Sequence, residues 1–435
     1  MNNYLFKVFS VFIYGMLFIT YSGCVYTYAQ KTTPYLPITI SNDNLIENLM
    51  KIKSDEFKTV LATPNKYEIQ IIYTQINHKE SGKAALVQHR YRLNNKQYFY
   101  PASLVKLPVS ALALEKCHKL GISSSNHMVT LANHACQKEV SVDSTAFNYK
   151  PSVAHYVKKM MLVSDNDAYS RVYELLGADS IKLRLKAIGM KETDIIQRFD
   201  PSCKNDDNLF FNPTVFMNEK GDTVYRQAGS SSKYYRNYKF VKKYKGRAYR
   251  NAKGKLVKKP KDFTRYNTMP LQEINDFLIG LIYPNLLPED KKLQLLPEDY
   301  NLLLKAMGSY PRESDFPKYD ASRYEDSFKK YLMLANYHDT IMVDTMRIFN
   351  VVGQSYGWLS DCAYFVDYKN NIDFFLSAVI YVNANQILND GRYEYKSIGF
   401  PFLSNLGRLI YDYERSRKRE QTGSFDRFIQ LYQNP

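Results

Sequence analysis

The sequence predicts an α+β fold, with an antiparallel β-sheet flanked by helices, a mostly helical middle and an inserted basic β-hairpin region. Three observations carry this prediction. Strand-like runs lie towards both ends of the chain, helical apolar periodicity fills the stretch between them, and a dense group of Lys and Arg interrupts the pattern near the centre. Strands and helices separated in this way along a chain are typical of helices packed on the faces of one antiparallel sheet.

The predicted elements follow one another in a simple order. Residues 30–66 form an N-terminal lead-in, the main domain spans 67–416, and 417–435 form a C-terminal tail. Within the main domain, runs rich in β-branched and aromatic residues predict strands, and 3.6-residue periodicity predicts helices. The strands are expected at 67–77, 84–93, 347–354, 362–368 and 373–383, and the helices at 101–117, 151–177 and about 398–416.

The composition fits a folded globular protein. The 435 residues are 45% apolar, 14% aromatic and 23% charged. This balance argues against wholesale disorder, collagen-like repeats and a bundle of membrane spans. Five cysteines are too few for a disulfide-built scaffold, and the seven histidines form no H-E-x-x-H pair. We therefore expect no metal and no other cofactor.

Residues 1–29 have the pattern of an export signal. Lys7 precedes an apolar run, 8–20, that is short for a bilayer crossing. Three outcomes stay open: cleavage after the T-Y-A triplet at 27–29, lipidation of Cys24 in a lipobox-like S-G-C triplet, or an uncleaved anchor. Each predicts an exported protein, in the periplasm or anchored as a lipoprotein to a bacterial envelope.

Export places the remaining cysteines in a compartment that permits disulfides. Four cysteines allow three pairings, among which the sequence does not choose, and buried free thiols are the alternative. These residues are Cys117, Cys136, Cys203 and Cys362.

The basic region is an insertion of about 213–266. Between Arg226 and Arg265 there are 15 Lys and Arg and one acid, whereas the whole chain has a net charge of +16. Five tyrosines are interleaved with these cations, a composition that can bind a nucleic-acid backbone. In an exported protein, however, an anionic envelope polymer or a membrane surface is the expected partner, and no nucleic acid. The alternative is a solvated hairpin whose charge aids solubility.

Two short motifs indicate a nucleophilic serine. Ser103 and Lys106 form an S-x-x-K box at the start of the helix predicted at 101–117, a spacing that puts both side chains on one helical face. A serine hydroxyl needs an adjacent base, and a desolvated lysine can be that base. Downstream, Ser164 and Asn166 belong to an S-D-N box at a break between two helical segments, where a second hydroxyl can relay a proton.

With a third feature, these boxes resemble a known family. Gly353 lies in a late strand and is followed by Gln354 and Ser355, which permits a close backbone approach to a substrate. The S-x-x-K box, the S-D-N box and the strand-borne glycine, in this order behind an export signal, resemble the serine β-lactamases and penicillin-binding proteins, especially class A-type enzymes. The resemblance extends over about 67–416.

The resemblance implies a role for each residue. Ser103 would be the acylated nucleophile and Lys106 its proton acceptor, while Ser164 would pass the proton to the leaving nitrogen. The backbone N–H groups of Ser103 and Gln354 would form the oxyanion hole. Substrate would be bound by Asn166, Gly353, Gln354 and Ser355.

Two departures from the family pattern weaken this expectation. The third box, usually K-T-G, is V-V-G here, with Val351 in place of the lysine. Loss of a charged hydrogen bond of roughly 1.5–3 kcal/mol would weaken ordinary penicillin binding by one to two orders of magnitude. Arg347 or a cation of the insertion is a possible replacement. The deacylating glutamate also has no match: Asp207 is the nearest carboxylate, with a spacing to Asn212 one residue too long, and it is equally well interpreted as a loop acid.

These observations predict an exported serine hydrolase that forms an acyl-enzyme with a β-lactam or with a peptidoglycan-like amide or ester. The alternative is a catalytically weakened relative that binds anionic cell-wall or membrane material through its basic Tyr/Lys insertion.

Overall fold

The structure is a computed structural model that describes residues 37–79, 84–132, 134, 136–204, 206–335 and 345–433. The predicted export signal at 1–29, including Cys24, lies outside these residues. Among the described residues, no helix combines the length and apolar character needed to cross a membrane.

The described secondary structure consists of short and long strands interspersed with helices. The strands are β1 (Ile38–Ile40), β2 (Gln70–His78), β3 (Ala84–Tyr91), β4 (His127–Thr130), β5 (Phe210–Phe211), β6 (Thr214–Met217), β7 (Thr223–Gln227), β8 (Ser230–Ser231), β9 (Tyr244–Lys245), β10 (Ala248–Arg250), β11 (Leu256–Val257), β12 (Lys261–Asp262), β13 (Met346–Ser355), β14 (Trp358–Asp367), β15 (Ile372–Tyr381) and β16 (Ile387–Leu388). The helices are α1 (Leu45–Ile52), α2 (Ser54–Ala62), α3 (Lys106–Lys119), α4 (Val153–Val163), α5 (Asn166–Leu176), α6 (Ala178–Ala187), α7 (Leu271–Ile282), α8 (Pro297–Gly308), α9 (Tyr331–Leu334), α10 (Phe400–Ser416) and α11 (Asp426–Gln433).

The central element is a six-stranded sheet in the order β1-β3-β2-β15-β14-β13. All of its pairs are antiparallel except β1 with β3. A two-residue turn, Tyr356-Gly357, joins β13 to β14, and both residues have positive φ, 53° and 95°. Turns of this kind match the right-handed twist of a hairpin and fix its register. Strand β13 lies at one end of the strand order, so it is one of the two edge strands, and it carries Gly353 near its end.

Helices cover both faces of the sheet. Successive side chains of a strand point to opposite faces, so Cys362 and Tyr364 join the core formed with α3–α8, whereas Ala363 and Phe365 join the core formed with α1, α2 and α10. Burial on both faces explains why β14 and β15 are buried along their whole length. The predicted α+β class, an antiparallel sheet between helices, is confirmed.

The basic region folds onto the domain. Within it, β9 pairs with β12, β10 pairs with β11, and β10 also pairs with β16 of the main domain. Tyr235 and Phe263 are 1% and 0% exposed. Some of the aromatic residues of this region therefore belong to the hydrophobic core.

Two further connections close the domain. Cys136 and Cys203 form a disulfide, while Cys117 and Cys362 are buried free thiols. The C-terminal tail also packs on the domain, because Phe428 and Leu431 of α11 belong to the core that contains α3–α8.

Candidate active site

The turn that carries Ser103 is a short 3-10 helix, Ala102–Val105, that continues directly into α3 at Lys106. Ala102 has a positive φ of 46°, a conformation that an alanine adopts at a cost of about 1–3 kcal/mol. The Leu104 N–H donates to the Pro101 carbonyl at 3.0 Å and closes the turn. Ser103 is therefore held, half-buried, at the start of a helix.

The S-D-N box forms the junction between α4 and α5. Ser164 ends α4 in the left-handed conformation, with φ 59°. Its N–H donates to the Met160 carbonyl at 3.1 Å. Asp165 then caps α5, because its side chain accepts a hydrogen bond from the Ala168 N–H at 2.8 Å. The junction between the two helices places the side chains of Ser164 and Asn166 next to Lys106.

Lys106 is the centre of the site. Its Nζ lies 3.0 Å from Ser103 Oγ and 3.0 Å from Ser164 Oγ. It also lies 2.5 Å from the Ser164 carbonyl and 2.7 Å from Asn166 Oδ1. The side chain is 0% exposed. The structure thus brings together both hydroxyls, the amide and the amine that the two motifs single out.

The environment of Lys106 favours the neutral form of its amine, which can act as a base. Burial lowers the pKa of Lys106 from 10.5 to about 7, against the opposing attraction of the Asp165 carboxylate. Near neutral pH, a substantial fraction of this amine is unprotonated and can accept the Ser103 proton. A pKa close to the operating pH is the value that general-base catalysis requires.

A neighbouring ring that sequence reasoning missed also contacts this amine. Phe199 lies with its ring centroid 5.2 Å from Lys106 Nζ. Ser170 of α5 holds it there, since Ser170 Oγ donates to the Asn166 carbonyl and accepts from the Phe199 N–H. Phe199 is 93 residues from Lys106 along the chain and belongs to no motif, so no local signal predicts this contact.

Gly353 allows strand β13 to lie directly against the turn that carries Ser103. A Cβ at residue 353 would lie 2.4 Å from the Pro101 carbonyl and 2.5 Å from Ser360 Oγ, distances that no side chain tolerates without a shift. Gln354 follows on the same edge strand, and its Oε1 accepts from Tyr331 Oη at 3.0 Å. Ser355 pairs with Trp358 at the end of the hairpin. Because Gly353 has no side chain, strand β13 can pack closely against the turn that carries Ser103.

Arg347, suggested by the sequence as a replacement for the third-box lysine, is engaged elsewhere. Its guanidinium forms a two-point ion pair with Glu313 at 2.8 and 2.9 Å and stacks 3.9 Å from the ring centroid of Tyr432. Val351 itself is buried, with 2% exposure.

Aromatic side chains of the basic insertion lie beside the turn that carries Ser103. The Phe263 ring lies 5.9 Å from Tyr100, three residues before Ser103, and 5.2 Å from Tyr356, which follows Ser355. Lys261 Nζ lies 5.0–5.7 Å from the centroids of four rings. One cation of the insertion, Lys261, therefore lies beside Tyr356, the residue that follows Ser355.

Asp207 lies in another environment. Its carboxylate accepts a hydrogen bond from the Lys204 N–H at 2.7 Å and lies 3.9 Å from His134 Nδ1. In the described part of the chain, no hydrogen bond joins Asp207 to Ser103, Lys106, Ser164 or Asn166. Cys136, which completes a close group with His134 and Asp207, has its sulfur in the disulfide, so the group does not offer three free metal ligands.

One protein family and several solved structures are similar to this chain. Residues 53–229 match the family model described as Beta-lactamase enzyme family. A search of curated proteins finds no match. A solved β-lactamase from Sphaerobacter thermophilus DSM 20745 is 10% identical, with a TM-score of 0.45, over 84% of this chain and 99% of its own. A β-lactamase from Xanthomonas campestris pv. campestris str. ATCC 33913 is 13% identical, with a TM-score of 0.47. The similarity covers 85% of this chain and 98% of that protein. A structure of PBP-A is 13% identical, with a TM-score of 0.46, and the similarity covers 87% of this chain and 98% of that protein.

The segment matched by the family model includes both the S-x-x-K box and the S-D-N box. The match of residues 53–229 to the Beta-lactamase enzyme family model therefore confirms the resemblance over that segment.

Proposed function

We propose that this protein is an exported serine hydrolase of the β-lactamase and penicillin-binding type, acylated on Ser103. One observation carries the proposal: the buried Lys106 amine lies 3.0 Å from the hydroxyls of both Ser103 and Ser164. A base shared by two hydroxyls can take the proton from one and return it through the other. The substrate class is a β-lactam or a peptidoglycan-like amide or ester.

The proposed reaction begins with neutral Lys106. The amine accepts the proton of Ser103 as the Oγ atom attacks the substrate carbonyl carbon, and the carbonyl electron pair moves onto oxygen. The backbone N–H groups of Ser103 and Gln354 stabilise this oxyanion. When the intermediate collapses, the bond to the leaving nitrogen breaks and Ser164 delivers the proton taken up by Lys106. Asn166 keeps its Nδ2 group as a donor for a substrate carbonyl, because its Oδ1 accepts from Lys106.

Slow deacylation is the second part of the proposal. Hydrolysis of the acyl-enzyme needs a base that activates water. Asp207, the candidate for this base, instead accepts a hydrogen bond from the Lys204 N–H and lies beside His134. We therefore propose a long-lived acyl-enzyme, closer to the behaviour of a penicillin-binding protein than to that of a fast β-lactamase.

The rate of acylation is expected to follow the ionisation of Lys106. Since the neutral amine is the base and its pKa is about 7, the initial rate of colour release from a chromogenic cephalosporin should rise about tenfold per pH unit below 7 and level off above it. The measurement is stopped-flow absorbance between pH 5 and 9, corrected for the uncatalysed reaction. One colour equivalent per protein, followed by slow turnover, is the expected time course.

A second group titrates in the same range and provides the control. Burial raises the pKa of Asp361 to about 7, although the Leu332 N–H and Asn350 favour its ionised form. The pH profile should persist in Asp361→Asn. A rate independent of pH between 5 and 9 in the wild-type protein, or a profile that disappears only with Asp361, contradicts Lys106 as the base.

The second candidate function is binding of anionic envelope material through the insertion. The observation that favours it is a group of exposed lysines at and beside the β10–β11 hairpin: Lys253, Lys255, Lys258 and Lys259. Within the described residues, none of their ammonium groups forms an ion pair or a ring contact. Deleting the insertion would remove the buried residues Tyr235 and Phe263 from the hydrophobic core, so point substitutions give the cleaner test.

Changing these four lysines to Gln is expected to weaken retention on anionic cell-wall polymer or anionic vesicles at 20 mM salt by at least tenfold, because exposed charges are little screened at that ionic strength. The matched control changes four exposed lysines of the N-terminal helices and the segment after them, Lys51, Lys53, Lys58 and Lys66, to Gln. Co-sedimentation measures both. An equal loss of retention in both variants would show that only the net charge of the protein matters, and it would contradict the insertion as a binding site.

A further inference from the structure

Lys261 of β12 is a cation that lies among aromatic rings and has no anionic partner. Its Nζ lies 5.0 Å from the ring centroid of Tyr266, 5.3 Å from that of Tyr249 and 5.4 Å from that of Tyr356. All four side chains are half-buried and keep some exposure to solvent. In the part of the chain that the structure describes, the ammonium group forms no hydrogen bond and no ion pair. The ring faces attract its charge but leave its three N–H donors unused.

The lysine on the neighbouring strand has the partner that Lys261 lacks. Lys245 of β9 pairs directly with Lys261 in an antiparallel register, which puts the two side chains on the same face. The Lys245 ammonium group forms an ion pair with Glu68 at 2.7 Å. Like charges directly opposite each other destabilise a strand pair, and an ion pair compensates only one of these two charges. An anion bound beside Lys261 would therefore stabilise this surface.

The rings around Lys261 lie next to the turn of the proposed nucleophile. The ring of Tyr100 lies 5.4 Å from that of Tyr356 and 5.8 Å from that of Tyr266. Along the chain, Tyr356 comes three residues after Gly353, and Tyr100 comes directly before the residue whose carbonyl a Cβ at 353 would strike. Lys261 is therefore near the place where this turn meets β13.

The course of β13 indicates on which side of the reacting carbonyl this cation lies. Lys329 Nζ donates to a carbonyl of the last turn of α4 at 2.7 Å, and the Lys329 carbonyl accepts from Asn350 Nδ2 at 2.7 Å. Ser164, at the end of α4, is thereby tied to the part of β13 near residue 350. Tyr356 follows the opposite end of the strand, which advances about 3.3 Å per residue. Because Ser164 serves the leaving nitrogen, Lys261 lies on the side of the acyl group.

We propose that Lys261, with Tyr266 and Tyr356 beside it, binds a carboxylate on the acyl part of the substrate. This inference rests on the proposed function and narrows its substrate class to β-lactams, or peptidoglycan-like amides or esters, whose acyl part carries a carboxylate. Lys261 and Val351 lie towards opposite ends of β13, so Lys261 does not replace the lysine that the third box lacks. It is a specificity-determining residue and takes no part in proton transfer.

The test compares two penicillins that differ by one group. Carbenicillin has a carboxylate on its acyl side chain at the position where benzylpenicillin has a hydrogen. Isothermal titration calorimetry on the Ser103→Ala protein measures equilibrium binding without acylation. This protein should bind carbenicillin at least tenfold more tightly than benzylpenicillin, because a hydrogen bond between two charged groups is stronger than one between neutral groups.

Lys261→Met, introduced into the Ser103→Ala protein, removes the ammonium group and keeps an apolar stem against the rings. It should weaken carbenicillin binding at least tenfold and leave benzylpenicillin binding within twofold. Lys261→Arg should keep the preference, because a guanidinium group is charged and also stacks on aromatic faces. Lys242→Gln is the matched control, since it removes one positive charge from an exposed lysine of the same insertion. Both affinities should stay within twofold in this control.

Three results would overturn the inference: no preference for carbenicillin in the Ser103→Ala protein, an equal loss for both penicillins in Lys261→Met, or the same loss of preference in Lys242→Gln. Lys261→Gln gives the same comparison if Lys261→Met does not fold.

The binding measurement also separates this inference from the proposed function. A wild-type protein that neither penicillin acylates would refute the function, whereas a carbenicillin preference that depends on Lys261 would still support the carboxylate site. Conversely, a wild-type protein that both penicillins acylate equally fast at low concentration would support the function and overturn the inference.

Discussion

Ser103→Ala is expected to abolish covalent acylation while the fold is retained. The hydroxyl is the only atom removed, and its contact in the described structure is the 3.0 Å hydrogen bond from Lys106, a loss of about 1 kcal/mol of stability. Without the hydroxyl no ester forms, and the initial rate of colour release from a chromogenic cephalosporin should fall by roughly 10⁴–10⁶-fold, as when a serine nucleophile is removed from a hydrolase. Intact-protein mass spectrometry measures the adduct directly.

Ser110→Ala is the control for that substitution. Ser110 is a buried serine of the same helix α3, and its Oγ contacts Met160 Sδ at 3.8 Å. The control should keep the full acylation rate and a similar melting temperature. An adduct that still forms on the Ser103→Ala protein would show that another residue is the nucleophile.

Lys106→Met is the substitution with the next largest expected effect. It removes the general base while keeping an unbranched apolar side chain of similar length, so the acylation rate should fall by about 10²–10⁴. The rate should also lose its dependence on pH near 7, because the group whose pKa burial lowers to about 7 is gone. Stopped-flow colour release gives both quantities.

Lys116→Met separates loss of a base from loss of a buried amine. Lys116 lies on the same helix, burial lowers its pKa to about 8, and its Nζ donates to the Leu175 carbonyl at 2.7 Å. This variant is expected to lose stability and keep both the rate and its pH dependence. Equal losses of rate in the two variants would assign Lys106 a packing role only.

The central sheet could be predicted because its signals are local. Strands expected at 347–354, 362–368 and 373–383 are observed as Met346–Ser355, Trp358–Asp367 and Ile372–Tyr381. Runs of β-branched and aromatic residues between turn residues define each strand, so the errors are confined to the ends. The helix expected at about 398–416 likewise begins at Phe400 and ends at Ser416.

The central part of the site could be predicted for the same reason. Ser103 and Lys106 are three residues apart on consecutive helical turns, and Ser164 and Asn166 flank one helix cap, so each pair is positioned by local backbone geometry. That the two pairs meet at Lys106 Nζ depends on the packing of α3 against α4 and α5, which only the resemblance to a family could supply.

Contacts between distant segments could not be predicted. The pairing of Cys136 with Cys203 was one of several open possibilities. Lys329 reaches α4 from 168 residues away, and Phe199 reaches Lys106 from a loop without a motif. For the insertion, charge and aromatic content predicted a surface that binds anionic material, with a solvated hairpin as the alternative. Neither interpretation predicts that Phe263 is buried or that Lys261 packs among four rings. Each depends on tertiary packing that no short window of sequence contains.

The most direct test of acylation at Ser103 is peptide mapping of the wild-type protein after incubation with millimolar penicillin and, separately, with a fluorophosphonate. Trypsin releases the peptide 97–106, QYFYPASLVK, in which Ser103 is the only serine. We expect one equivalent of each reagent on Ser103, long-lived in the case of penicillin. An adduct on a different peptide, or none with either reagent, would contradict Ser103 as the nucleophile.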